Sequence, residues 1–551
     1  MFKLFVKCGL IASAVIVFLS LRSKISFPIT LVEAKESYTA YSIIKSGFDT
    51  NGTSWNPLFR SDNNFLSTSA VILRIFLTLV FDMNTTAVRI LNVIVNALMI
   101  FVIAIYSYKN FTSKHLAYLV TIFALLSPLG VYIGLFQLSV SLSIMFIFLA
   151  LLFEKRAVLF YLFLFIAILS SWVSLPLVIS VLINNYLKQK KNSDYHQQIW
   201  LPAFILVLFF TFSLGGKSFF NYLYRNSIFK EVNPSSYTYI IDKKLTYGPT
   251  YDSPLIYDGV NYTRIAYNKL YFACKIFFEN IVSKFDYELL TSSHLSQEVL
   301  SNYFISAVGF VKIYYWQIIL VFYGLITLFK QDNRELKFLI YGSSLSFLLF
   351  NTNESLSYLF LIIILAEAYA VNRLVLSDFR LKYFILCILL LLYLGGTAHL
   401  FTILRSEDSR WISENDFRQY QIWTSVNKSD LDSNNLFVTD IIGEPIYYYL
   451  FYKNVDPNFF HNTVKYGNID NSGLTTVDQL GNVKFASFKY YEQPRGPNEL
   501  WIGLSGELLG SFKKSSDVEE IFDGIIIKKI KDVRTNRTDL GNEIWFVKTT
   551  L

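Results

Sequence analysis

Apolar stretches recur along this sequence too regularly to belong to one water-soluble core. After a first one at residues 4–21, others of roughly 15 to 25 residues begin near Ala87, His115, Leu138, Val158, Ser174, Ile199, Val311, Phe338, Ser355 and Tyr383. Each approaches the length a helix needs to cross the hydrocarbon layer, so about eleven transmembrane helices are expected. Composition agrees: 53% of the 551 residues are hydrophobic and 16% are charged, where a soluble domain carries about 25% charge. Lys3 and Lys7 precede the first span, and Arg22, Ser23 and Lys24 follow it without a small-residue cleavage site, which predicts a retained anchor.

Charge placement orients the spans. With a cytoplasmic N-terminus, the inner loops carry Lys109 and Lys114, Lys155 and Arg156, Lys188, Lys190 and Lys191, Lys330, Arg334 and Lys337, then Arg373, Arg380 and Lys382. The short connections near Gly134, Ser171 and Asn353 carry no Lys or Arg. That asymmetry is the positive-inside rule, and an odd number of spans then puts the tail outside. The expected organisation is a polytopic all-α domain at 1–404 in the cytoplasmic (inner) membrane, with large outer loops at 23–86 and 216–310. A small extracytoplasmic α/β domain fills 405–551. Residues 66–81 are apolar but interrupted by Arg74, a pattern suited to lying along the interface.

The outer regions hold the residues with chemical potential. Residues 34–46 read as an amphipathic helix stopped at Gly47. The tail reads as a helix at 416–426 and strands at 435–439, 501–504, 525–530 and 544–548. Glu33, Glu36 and Asp49 cluster in the first loop. The two glutamates also suit the start of a helix, and Asp49 suits a turn between Gly47 and Gly52. Arg89 stands at the outer end of a span, where it meets either phosphate or the interface. Lys217 and Arg225 in the second loop are candidate phosphate ligands, or lipid-facing cations. Glu367 lies inside an apolar run and is expected to snorkel toward the cytoplasm beside Arg373. The three cysteines and five histidines are scattered, so neither a disulfide framework nor a metal is expected.

The stretch EAKESYTAYSIIKSGFDTNG, followed by Pro57, resembles the first outer loop of glycosyltransferase-C enzymes. The similar group is the bacterial branch related to protein O-mannosyltransferases. Ala87, Val88 and Arg89 resemble the start of that group's second span. LLSPLGVYI resembles its Ser-Pro turn, and GEPIYYYLFYKNVDP a segment of its outer tail. The matches run in the family's order. Two departures stand out: Val32 and Glu33 occupy the place of the family's Asp-Glu, and Leu135 and Ser139 that of its Arg and Glu.

The resemblance implies inverting transfer of a sugar from a polyprenyl-phosphate donor to a glycan, lipid or protein acceptor outside the membrane. With Val32 in the place of the family's usual base, a rearranged site would use Glu33 or Asp49 as the catalytic acid, and Glu36, Arg89, Lys217 and Arg225 are the candidate substrate-binding residues. Single displacement needs one carboxylate as base and cations for the leaving phosphate. No cofactor or metal beyond the lipid-linked donor is implied, and membrane lipid rather than nucleic acid is the expected environment. Two other readings stay open. One is a catalytically inactive relative that binds polyprenyl phosphate or supports an active partner. The other is a transporter, whose repeated spans or paired helix breaks are not apparent.

Overall fold

A computed structural model describes residues 28–192 with breaks at 55–58, 62–63 and 112, and 201–208 apart from 203. It also describes 315–405 apart from 332, 351–352 and 378–379. In the tail it describes 414–427, 431, 435–440, 444–467, 477–485, 499–504, 519–522, 525–530 and 544–549. The chain is mostly helical, with a sheet near its C-terminus. Two compact units emerge: residues 96–396 form one, and residues 28–95 group with the tail from 397 onward in the other. The first outer loop thus packs with the tail, although chain order assigns it to the transmembrane domain.

Helix α1 (Leu31–Ser46) opens with Thr30 and Glu33 bonding reciprocally in a capping box and stops at Gly47, whose φ of 79° an L side chain resists. The expected amphipathic pattern is not its fate. Its polar residues Glu33, Lys35, Glu36, Ser37, Thr39 and Ser42 are buried alongside Ala34, Tyr38 and Ala40, so α1 is a core helix. Two short strands, β1 (Arg60–Ser61) and β2 (Asn64–Phe65), form a hairpin. It leads into α2 (Thr68–Phe81), capped by Ser67. One flank of α2 buries Ala70, Val71 and Arg74, and another exposes Phe76, Leu79 and Val80.

Helix α3 (Thr85–Asn110) is long and apolar enough to cross a membrane, and so is the run Glu354–Leu376. The exposed side chains of α3, Ile90, Ile94, Leu98, Phe101 and Ile105, recur at helical spacing along one face, the pattern of a surface that meets lipid. Helices α4 (Lys114–Leu126) and α5 (Pro128–Phe136) form a pair bent by 59°, a third candidate if taken as one span. The expected eleven are therefore not reproduced among the described residues. The expected first span lies outside them, and several later runs form apolar helices of 10–17 residues.

The helices that follow are α6 (Leu138–Leu152), α7 (Ala157–Ser170), α8 (Leu175–Asn192), α9 (Tyr315–Phe329), α10 (Arg334–Leu349), α11 (Asn353–Ser357), α12 (Leu359–Leu376) and α13 (Lys382–Arg405), of which α6, α7, most of α9 and the first half of α13 are the short apolar ones. Close approach substitutes for large side chains between α10 and α8. A Cβ on Gly342 would lie 2.7 Å from the Leu177 Cα, a backbone proximity that small residues allow in helix pairs.

In the tail, α14 (Glu414–Ser425), α15 (Pro445–Tyr452) and α16 (Pro457–Thr463) accompany β3 (Asn435–Val438), β4 (Val464–Tyr466), β5 (Val477–Leu480), β6 (Val483–Phe485), β7 (Glu499–Leu504), β8 (Glu519–Phe522), β9 (Ile525–Ile530) and β10 (Ile544–Thr549). The strand order is β4-β5-β6-β3-β7-β10-β9-β8. β3 runs parallel to both neighbours, and the outer pairs are antiparallel. Every strand expected from residue alternation is present, as is the helix near 416–426. Leu436, Val438, Val483 and Ile502 of the sheet, Trp423 of α14 and Tyr447–Phe451 of α15 share one hydrophobic core with Ala34 and Tyr38 of α1.

Candidate functional site

The first-loop acids are joined to distant basic residues. Glu33 Oε1 accepts from Arg89 at 2.5 Å and from Asn92 Nδ2 at 2.8 Å. Its Oε2 accepts from the Thr30 backbone N–H at 2.8 Å and from the Thr30 hydroxyl at 3.0 Å. Arg89 also donates to the Pro28 carbonyl at 2.6 Å. One turn later, Glu36 Oε2 accepts from Arg74 Nε at 2.9 Å. The four charged side chains, Glu33, Glu36, Arg74 and Arg89, are all buried, as is Asn92. Charges withdrawn from water to this degree persist only when paired and hydrogen-bonded.

The tail completes the same body. Lys35 pairs with Glu444 at 2.5 Å and lies 4.8 Å from the ring centre of Tyr447. The Tyr38 hydroxyl donates to the Val455 carbonyl at 3.2 Å, and Ile29 N–H donates to the Tyr452 hydroxyl at 3.2 Å. Asp416 accepts from Leu31 N–H at 3.2 Å, a carboxylate at a helix N-terminus, and also accepts from the Tyr448 hydroxyl. Burial and the neighbouring Asp416 push the Tyr448 phenol well above its ordinary pKa, so it stays a donor at neutral pH.

Asp49 shapes a turn. Its Oδ1 accepts from Asn51 N–H at 3.0 Å and Thr53 N–H at 2.9 Å, and its Oδ2 from the Thr53 hydroxyl at 2.5 Å. Gly52, at φ 73°, closes the turn with a bond from its N–H to the Asp49 carbonyl at 3.0 Å. For Glu33, with four donors on its two oxygens, to take a proton from a substrate, it would first have to release one of them, whereas Asp49 Oδ2 keeps an acceptor site beside the Thr53 hydroxyl. The structure brings Glu33 and Arg89 together and sets Glu36 on the same helix. Lys217 and Arg225 lie outside the described residues.

Arg74 is a residue that sequence reasoning left out of the site. It is 1% exposed, and its two terminal guanidinium nitrogens bond to no described residue. Its signal was an arginine within an apolar run. In the other unit, a carboxylate reaches Ser139 from far along the chain. Ser139 Oγ and Ser171 Oγ each donate at 2.8 Å to one oxygen of Glu354. A separation of 215 residues hides that from sequence. Around it, Gln137 accepts from the Ser357 hydroxyl, and the Tyr358 hydroxyl meets Ser143 at 3.1 Å.

A second charged cluster in that unit joins Lys188 to Glu335 at 2.6 Å and to Glu154 at 3.0 Å, with the Tyr106 hydroxyl donating to Glu335. Glu367 departs from the expected snorkelling. It is fully buried beside Tyr393 and Gln317, because the helix packs inside the unit at that level. Among the described residues no three His, Cys, Asp or Glu side chains converge on a metal-sized site. Compared with models of known protein families and with curated proteins, the chain matches none.

Proposed function

We propose that this protein is a glycosyltransferase-C-type membrane enzyme that transfers a sugar from a polyprenyl-phosphate donor to an acceptor on the outer face of the cytoplasmic membrane, with inversion. The observation that carries the reading is an assembly. Three of the stretches that resemble the family, 33–52, 87–89 and 443–457, meet in one body through Glu33–Arg89, Lys35–Glu444 and Tyr38–Val455. Chance resemblances scattered over more than 400 residues have no reason to converge.

Further support comes from charge. Arg74, whose two terminal guanidinium nitrogens bond to no described residue, suits a phosphate oxygen once the surrounding chain admits one. It sits on α2, whose exposed Phe76, Leu79 and Val80 suit the edge of a bilayer. Glu354 restores, from another helix, a carboxylate at the Ser139 position where the family carries an acid. About eleven spans remain the topology that this reading requires.

The full hydrogen bonding of Glu33, and the commitment of Asp49 to its own turn, favour one competing reading, a relative that has kept the fold and binds polyprenyl phosphate without sugar transfer. Mass analysis of cell-envelope glycans separates the two. Deleting the gene is expected to remove one sugar from one glycan, and the wild-type gene to restore it. Glu33→Gln, Asp49→Asn and Glu354→Gln are then tested singly, and the carboxylate that acts as base is the one whose loss lowers transfer by at least about a hundredfold. Glycans unchanged by deletion would refute sugar transfer. Transfer restored by all three variants would remove these acids from the chemistry.

A further inference from the structure

Beside the α1 body lies an open cleft of about 380 Å³ that none of the foregoing uses. The end of α1 and the Asp49 turn form one wall, with Ser46, Phe48, Asn51 and Gly52. Helix α16 and β4 form the other, with Asn458, His461, Asn462, Val464 and Tyr466. At this size it is a small member of the ligand clefts of about 300–1,000 Å³. Both walls belong to the unit formed by the first loop and the tail.

The lining has a particular chemistry. Phe48 and Tyr466 are each 45% exposed, and the Phe48 ring meets the His461 ring edge-on with centroids 6.4 Å apart. Asn458 and Asn462 are exposed, and their side-chain amides bond to no described residue. Among the described residues no Lys, Arg, Asp or Glu lines the cleft, in a chain whose formal net charge is +8. The described lining therefore offers no cation of the kind a phosphate or carboxylate ligand would need. An apolar ligand would strand the asparagine amides without partners.

His461 adds a directed acceptor. The Ser42 hydroxyl donates to the Phe48 carbonyl at 2.8 Å and lies 3.3 Å from His461 Nε2. With its only proton committed to the carbonyl, the Ser42 oxygen accepts from the imidazole, which assigns the proton to Nε2 and leaves Nδ1 as an acceptor. Burial holds the imidazole pKa below its ordinary value against the opposing pull of Asp49, so the ring is uncharged at neutral pH.

We propose that this cleft binds a neutral carbohydrate, one or two pyranose units of a glycan chain, with the C–H faces of the sugar on Phe48 and Tyr466 and its hydroxyls on Asn458, Asn462 and His461. A pyranose presents the two surfaces the cleft offers. Each hydroxyl both donates and accepts, as an amide does, and the ring carries an apolar face that packs on an aromatic one. The assignment goes beyond sugar transfer and does not depend on it, since binding at this cleft requires no chemistry.

Its test uses the full-length protein in nanodiscs prepared without glycoside detergents. Saturation-transfer NMR and calorimetry are run with neutral hexose and N-acetylhexosamine oligosaccharides, and with an oligogalacturonate as the anionic comparator. At least one neutral oligosaccharide is expected to bind with a Kd below about 5 mM, and the anionic one about tenfold more weakly or not at all. Tyr466→Ala and Asn462→Asp should each weaken binding about tenfold without moving the thermal midpoint. Phe48→Ser provides the same readout from the opposite wall. No binding by any neutral oligosaccharide, a preference for the anionic one, or affinity that all three variants leave within about twofold would overturn the proposal.

Discussion

Glu33 joins two functions of a side chain that sequence treats separately. One oxygen closes the capping box with Thr30, and the other receives Arg89 and Asn92. The capping half was legible, because Thr30 and Glu33 are three residues apart. The ionic half was not, because Arg89 lies 56 positions away and only the folded chain brings it near. Removing either partner leaves the other charge buried. Glu33→Leu or Arg89→Met alone should therefore cost about 3–5 kcal/mol, while the two changes together should recover most of it. Denaturant unfolding of the four proteins decides, and equal losses in singles and double would disprove the coupling. His461 gives a pH dependence. Its folded pKa lies below the ordinary histidine value, so the unfolded chain takes up the proton first as pH falls. Its contribution to stability is complete above the ordinary histidine range and is lost on acidification through it. The midpoint of thermal unfolding should fall less steeply with acidification in His461→Gln than in the parent.

Helices and strands were more legible than their surroundings. The stop at Gly47, the alternation in β3 and the helix near 416–426 depend on neighbouring residues, and each appears where expected. What alternation could not tell is that α1 would be covered on nearly all sides, since its second cover comes from α15, more than 390 residues later. Sheet order is hidden for the same reason: β3 pairs with β6 and β7 across long connections. Local signals should carry local energies. Thr30→Ala is expected to cost about 1 kcal/mol through loss of the cap, and Gly47→Ala about 1 kcal/mol because alanine resists a φ of 79°. Hydrogen exchange over 31–46 should speed up at the N-terminal end in the first variant and at the C-terminal end in the second. For α2, a tryptophan placed at Val80 should be quenched by brominated lipid acyl chains, whereas one at Ser46 should not. Equal quenching at the two positions would remove α2 from the interface.

At the scale of the molecule, the apolar runs gave a membrane protein, and two described helices have the length and composition to cross one. Hydropathy reads apolar length, and several helices stop at 10–17 residues, so the number of crossings depends on breaks that composition does not register. Charge asymmetry assigned the first loop and the tail to the same compartment, and their joint core is consistent with that assignment. The central claim is that this joined body stands outside the cytoplasmic membrane. Single cysteines at Asn51→Cys, Asn462→Cys and Lys155→Cys, in a chain whose three native cysteines are replaced by serine, test it through labelling of intact cells with a membrane-impermeant maleimide. The account predicts labelling at 51 and 462 without permeabilisation, and at 155 only after it. Labelling of 51 and 462 from opposite faces, or of both only after permeabilisation, would contradict it.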